Sequence, residues 1–337
     1  MLMLRAATLI AALGLCAHAH AAPTLYPLTI ENCGSTLTFA HAPARTVTIG
    51  QAATEMLYAM GLSDQVVGTS LWFNDVLPVY QAANGKIERL ADNAPSFESV
   101  TARRPDLVAV ELEWMVGPQG AVGTRQQFHE LKIPTYLMPS DCEAKDNSVG
   151  ADGTRLEAFR VDSLYKSIRQ LAEIFDVQAR GEQLITELKA SLAKSTATAQ
   201  TNAFKQASAV FWFSSPGLDL DPYVAGHKGV PDFMLNTLGL RNVVDSDEEW
   251  PTVGWETIAK ANPTFLVIAR MDRRRFPADD YQKKLEFLHS DPVTRNMDAV
   301  KNNRIIILDA MAMQASIRTF DGLETLAKAI NSYDVTP

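Results

Sequence analysis

At 337 residues, with 31 Lys plus Arg against 39 Asp plus Glu and a net charge of −8, the sequence argues against non-specific binding to nucleic acid or docking on anionic lipid. Its 47% hydrophobic and 21% charged residues are those of an ordinary globular protein, and the length is comfortable for two cores but long for one.

The chain opens like an exported protein. Arg5 precedes the apolar run Ala6–Cys16 and then Ala17-His18-Ala19-His20-Ala21-Ala22, the pattern of a secretory signal peptide over residues 1–22, cut after Ala21 or Ala22. The run is too short for a membrane anchor, which needs about 20 apolar residues. Leu15 before Cys16 does not suit lipid attachment, so a lipoprotein is the less favoured alternative to a periplasmic protein. Cleavage leaves Cys33 and Cys142. In an oxidising compartment these either form one disulfide, closing a loop of about 110 residues, or remain as buried thiols.

Leu28–Phe39 alternates like a hairpin, broken at Asn32-Cys33-Gly34-Ser35. Thr46–Ile49 reads as a strand, followed by a helix from about Thr54 to Met60 that Gly61 stops. Further strands follow at Val66–Gly68, Leu107–Val110 and Thr135–Met138, with helical stretches before the last two. Strands alternating with helices predict an α/β unit with a mostly parallel sheet over residues 23–176.

From about Leu156 to Thr198 the chain has no proline and a single glycine, Gly181, and its apolar residues fall at helical spacing. Two helices are predicted to meet near Asp176–Val177. The second, residues 177–200, is roughly 30 Å long at 1.5 Å per residue and bridges two units. Beyond it the α/β pattern restarts over residues 201–337, with strands at Ser208–Phe213, Phe265–Ala269 and Ile305–Leu308.

The two halves echo each other. Met60-Gly61-Leu62-Ser63-Asp64-Gln65-Val66-Val67 aligns with Leu238-Gly239-Leu240-Arg241-Asn242-Val243-Val244, one residue shorter. Further on, Phe97-Glu98-Ser99-Val100 and Trp255-Glu256-Thr257-Ile258 each stand before a strand that a proline opens, Pro105 or Pro263. Two similar lobes on either side of a helical bridge are expected.

No signature of catalysis appears: no phosphate-binding loop, dinucleotide fingerprint, nucleophile elbow or His-Glu-x-x-His. After cleavage His41, His129, His227 and His289 remain, without metal-ligand spacing; only His227 sits on a loop that could face a ligand. What recurs after strands is aromatic residues and arginine. Trp72 and Trp114 stand in the first half, Trp212, Tyr223, Arg270 and Arg273 in the second, where open α/β sheets bind ligands. Arg274 and Arg275 are assigned to solvent.

The leader, the two lobes, the bridging helix and the paired Glu motifs resemble the substrate-binding proteins of ABC importers for ferric siderophores, haem and cobalamin. The closest likeness lies in Pro43–Ile49, Thr54-Glu55 through Leu62, Arg104-Pro105-Asp106-Leu107-Val108 and Gly239–Val243. Glu31-Asn32-Cys33-Gly34 and Tyr136–Cys142 look like a subgroup with a disulfide between these two cysteines. The resemblance implies two Rossmann-like lobes joined by one long helix (the class III arrangement), little movement on binding, and no reaction catalysed. It also implies a ligand held shallowly between the lobes and a glutamate on each lobe, Glu98 and Glu256, that docks on the permease of a permease–ATPase complex. A monomer carrying a metal chelate as cargo, with no cofactor and no metal site of its own, is expected. A ferric siderophore comes first, then cobalamin or haem; an exported chelatase-like enzyme is the rival class. Trp72, Trp114 and Trp212 would supply flat faces, Tyr223 a hydrogen bond, and Arg270 and Arg273 cations for an anionic chelate.

Overall fold

The computed structural model describes residues 22–148, 153–200 and 207–333. Apart from Ala22, the expected leader lies outside them. Strands β1 (Leu28–Asn32) and β2 (Ser35–Phe39) form the expected hairpin. Then come β3 (Thr46–Ile49), helix α1 (Gln51–Ala59), β4 (Val66–Ser70), α2 (Gln81–Asn84) and β5 (Arg89–Ala91). Helix α3 (Phe97–Thr101), β6 (Leu107–Val110), α4 (Arg125–Glu130) and β7 (Thr135–Leu137) complete a parallel sheet in the order β5-β4-β3-β6-β7. Every residue of β3 and β6 is buried, as a parallel sheet covered on both faces requires. The hairpin is tied to β7 by Asn32, which bonds Leu137 through both its amide atoms, and by a Cys33–Cys142 disulfide.

A small pair, β8 (Lys145–Asp146) and β9 (Thr154–Arg155), leads into helices α5 (Asp162–Ile174) and α6 (Gln178–Gln200). They meet where predicted, at Asp176, whose φ is +56°. Gly181 makes the close packing of the pair possible, since a Cβ there would lie 2.6 Å from Ala172 Cβ. The 23 residues of α6 span about 34 Å.

The second lobe runs β10 (Ser208–Ser214), β11 (Tyr223–Val224), α7 (Val230–Leu238), β12 (Arg241–Asn242), α8 (Trp255–Ala261) and β13 (Phe265–Arg270). Helices α9 (Tyr281–Ser290) and α10 (Asp298–Lys301), strand β14 (Ile305–Asp309) and helix α11 (Arg318–Ser332) follow. Its sheet is ordered β11-β10-β13-β14, with β12 also on β10; only β11 is antiparallel. The sequence echo has a backbone counterpart. Gly61 and Gly239 end their helices at φ +71° and +70°, and Arg104 and Asn262, before the strand-opening prolines, sit at +48° and +44°.

One boundary differs from expectation. Helix α1 starts at Gln51 rather than Thr54, because its cap comes from the residue after β6: the Glu111 carboxyl group accepts from Ala52 N at 2.8 Å. Gly50, at φ +122°, is required there, since a Cβ would fall 2.2 Å from Glu111 Cβ.

The outer face of each sheet has its own core, one with Phe128 and Met115, the other with Trp212 and Leu288. A third core belongs to both lobes: α1, α5, α6, α7 and α11 pack into it together with the inner faces of both sheets. The lobes are therefore one packed body rather than two units on a flexible tether.

Candidate functional site

The loops at the carboxyl ends of the strands meet across the lobes. They do so in two places, at opposite edges of the sheets. At the first, the loop after β4 lies against the loop after β13. Phe73 O accepts from Asp272 N at 3.1 Å and Arg273 N at 2.9 Å, and Asn74 Nδ2 donates to Arg270 O and to Asp309 Oδ1 at 3.2 and 2.7 Å. Beneath this, Arg318 of α11 grips Glu55 of α1 with both fork nitrogens, Nε–Oε2 2.7 Å and Nη2–Oε1 2.5 Å. Its Nη1 reaches Asp309 Oδ2 at 2.7 Å, and Nη2 also donates to Asp75 O. Burial alone would lower the Arg318 pKa, but the bonds and charges of Glu55 and Asp309 outweigh it and raise the pKa. At the second place, Arg155 Nε lies 2.9 Å from Glu249 Oε2 and Phe159 N donates to Lys228 O at 2.9 Å. Between the two contacts lie the ends of β3, β6 and β10.

The predicted faces fare unequally. Trp72 and Trp212 are 1% and 0% exposed and present no face to a ligand. Leu71, at φ +58°, turns the chain so that Trp72 packs inward under Arg89, with Nε1 on Thr69 Oγ1. Trp212 is edge-on to Trp255 at 4.7 Å in the outer core of the second lobe and donates to Ser215 Oγ. Trp114 follows β6 and is half-buried, and its indole N–H has no hydrogen-bond partner among the described residues. Tyr223 is 37% exposed on the edge strand β11.

Of the cations, Arg273 is committed to the protein. It stacks over Phe73 at 4.8 Å and donates to Trp72 O and Asn93 Oδ1. These contacts tie the loop after β13 to the first lobe. Arg270 is exposed and its side chain makes no hydrogen bond or ion pair among the described residues. Arg274 pairs with Asp280. Glu98 and Glu256 are exposed in the first turns of α3 and α8, each one helix before the strand that a proline opens. His227 lies between two carboxylates, 3.3 Å from Asp232 and 3.4 Å from Asp245.

Sequence reasoning missed an aromatic pair. Phe213 and Trp250, centroids 4.6 Å apart and half-buried, pack against the core that the lobes share. Strand alternation carried the signal, since Phe213 must face opposite to Trp212. Lys284 fixes it by donating to Phe213 O at 2.6 Å; burial lowers this ammonium to about 8, against the pull of Asp279. A crevice of about 440 Å³ beside the disulfide lies elsewhere, at the edge of the first lobe. Its lysines are already paired, Lys145 with Asp141 and Lys166 with Glu143, so it offers a ligand little free charge.

Residues 47–312 match the model described as periplasmic binding protein. The chain belongs to that family. Among curated relatives, an uncharacterised ABC transporter substrate-binding lipoprotein, YvrC of Bacillus subtilis, is 25% identical over 308 residues, covering 91% of this chain and 86% of the relative. A vitamin B12-binding protein of Pectobacterium carotovorum is 23% identical over 229 residues, 67% and 71% of the two chains. Among solved structures, a periplasmic binding protein from Veillonella parvula superposes with TM-score 0.73 at 23% identity, covering 91% of this chain and 98% of that one. An ABC-type Fe3+-hydroxamate transport system from Saccharomonospora viridis gives 0.72 at 24%, covering 91% and 100%. These likenesses establish the lobe–helix–lobe fold for the family member described here.

Proposed function

We propose that this periplasmic binding protein is the capture component of an ABC importer, holding an organic metal chelate between its lobes and passing it to a permease and ATPase. The observation that carries the reading is the meeting of strand-end loops from both lobes, with partly exposed aromatic rings packed against the core the lobes share, Phe73 after β4 and Phe213–Trp250 in the second lobe. Flat rings suit the broad, partly apolar faces of a chelate. Names among the relatives, vitamin B12 and Fe3+-hydroxamate, belong to the same ligand chemistry. A ferric siderophore is the first choice, with Arg270 as its exposed cation and Trp114 and Tyr223 as flanking contacts. The commitment of Arg273 to the first lobe favours a second reading, a corrinoid, because one of the two expected cations is taken. Glu98 and Glu256 dock on the permease from equivalent places on the two lobes. No reaction is proposed, and the leader is read as directing export to the periplasm.

Native mass spectrometry of the protein purified from its own periplasm tests the reading. A bound chelate identifies itself by mass. Protein that emerges without ligand, and that shows no tryptophan-fluorescence change with ferric siderophores, haem or cobalamin, refutes it.

A further inference from the structure

Arg273, Arg318 and Arg155 all cross between the lobes, and the last two do so differently. Arg318 uses Nε, Nη1 and Nη2 on oxygens 2.5–2.7 Å away, the arrangement of a structural clamp. Arg155, at the end of β9, is as buried, 6% exposed. Its Nη2 donates to Ser140 O at 3.0 Å and its Cζ lies 5.8 Å from the Phe159 ring. Glu249 Oε2 is 2.9 Å from Nε, but the N–H is not aimed at that oxygen and has no acceptor. The pair has charge attraction without the fork-on-carboxylate geometry that makes arginine selective. A buried N–H with no acceptor is a standing cost.

Its position points to a ligand. Ser140 follows the end of β7, and Glu249 precedes Trp250 of the aromatic pair, so the guanidinium sits at the edge of the region where the strand ends face each other. Asp141, which also feels the Arg155 charge, is held by Lys145 and by the Glu113 N–H. We propose that Arg155 recognises a free carboxylate of the transported chelate and that Glu249 is its intramolecular stand-in, displaced from the guanidinium when the ligand's carboxylate takes the fork. The inference rests on the chelate-binding function above and narrows it to chelates with at least one uncoordinated carboxylate.

Tryptophan-fluorescence titration of the whole mature chain tests this with four probes. Ferric citrate and haemin bear carboxylates; ferrichrome and cyanocobalamin bear no free carboxylate. Arg155→Met should weaken a carboxylate-bearing probe about 10- to 100-fold, the worth of one or two charged hydrogen bonds. Glu249→Gln should tighten the same probe about 3- to 10-fold by removing the competitor. Neither change should move a carboxylate-free probe more than about twofold. Should Arg155→Met fail to fold, Glu249→Gln alone decides: tightening supports the inference and unchanged affinity overturns it. If wild type binds only a carboxylate-free probe, or both variants weaken all probes alike, the inference falls while chelate binding stands. If none of the four binds, the proposed function falls and takes the inference with it.

Discussion

Arg318→Met removes the clamp between the lobes at one atom-economical point. It leaves Glu55, 1% exposed at its side chain, and Asp309, 21% exposed, facing each other without their counter-charge. Removing one partner of a buried ion pair costs about 3–5 kcal/mol, because the desolvated charge that remains is uncompensated. Here two hydrogen bonds to Glu55, one to Asp309 and one to Asp75 O go together, which places the loss at the upper end of that range. For a chain of this size each kcal/mol moves Tm by about 2 °C, so a fall of roughly 6–10 °C is expected, with a matching drop in the urea midpoint. The triple change Glu55→Gln, Asp309→Asn and Arg318→Met should recover much of the loss, since neutral groups of similar volume need no counter-charge. A single variant that loses less than about 1 kcal/mol would mean the network behaves like a solvated surface pair, and the reasoning would be wrong.

Three further outcomes are expected. Burial pushes the Glu111 carboxyl from its ordinary 4.5 up to about 8, opposed by the Ala52 N–H and aided by Asp141 and Glu55. The folded chain thus keeps a proton that the unfolded chain releases, so stability should fall as pH rises between those two values. Glu111→Gln should flatten that slope, and identical Tm–pH profiles for the two proteins would count against it. Cys33 and Cys142, 109 residues apart, should stabilise the chain by about 4–5 kcal/mol in the loop-entropy picture. Serine at both positions that leaves the urea midpoint unchanged would contradict this. Alanine at both Glu98 and Glu256 should leave chelate affinity intact and stop uptake in cells, whereas undiminished transport removes the docking assignment.

The repeat was legible because its signals are local. A glycine ending a helix at positive φ and a proline opening a strand act within a few residues, so Gly61 and Gly239, or Pro105 and Pro263, look alike in sequence and in backbone. The start of α1 was not legible, because its cap is a carboxyl group 59 residues away, just past β6. The same distinction separates the predicted site residues. Trp72 follows β4 and Trp212 lies near the end of β10, but what decides their exposure is the turn at Leu71 and the choice of sheet face, and each closes onto its own lobe. Arg273 directly follows a strand, but the partners it meets, Trp72 O and Phe73, lie about two hundred positions earlier. Arg318 and Glu55 are separated by 263 residues. Where two lobes meet, the part a charged residue plays depends on what the other lobe offers it. Arg155 and Arg318 are the same residue type with similar burial, and the number and orientation of the opposing carboxylates distinguish them. That orientation is a property of the packed pair of lobes, so it lies beyond any reading of either half alone.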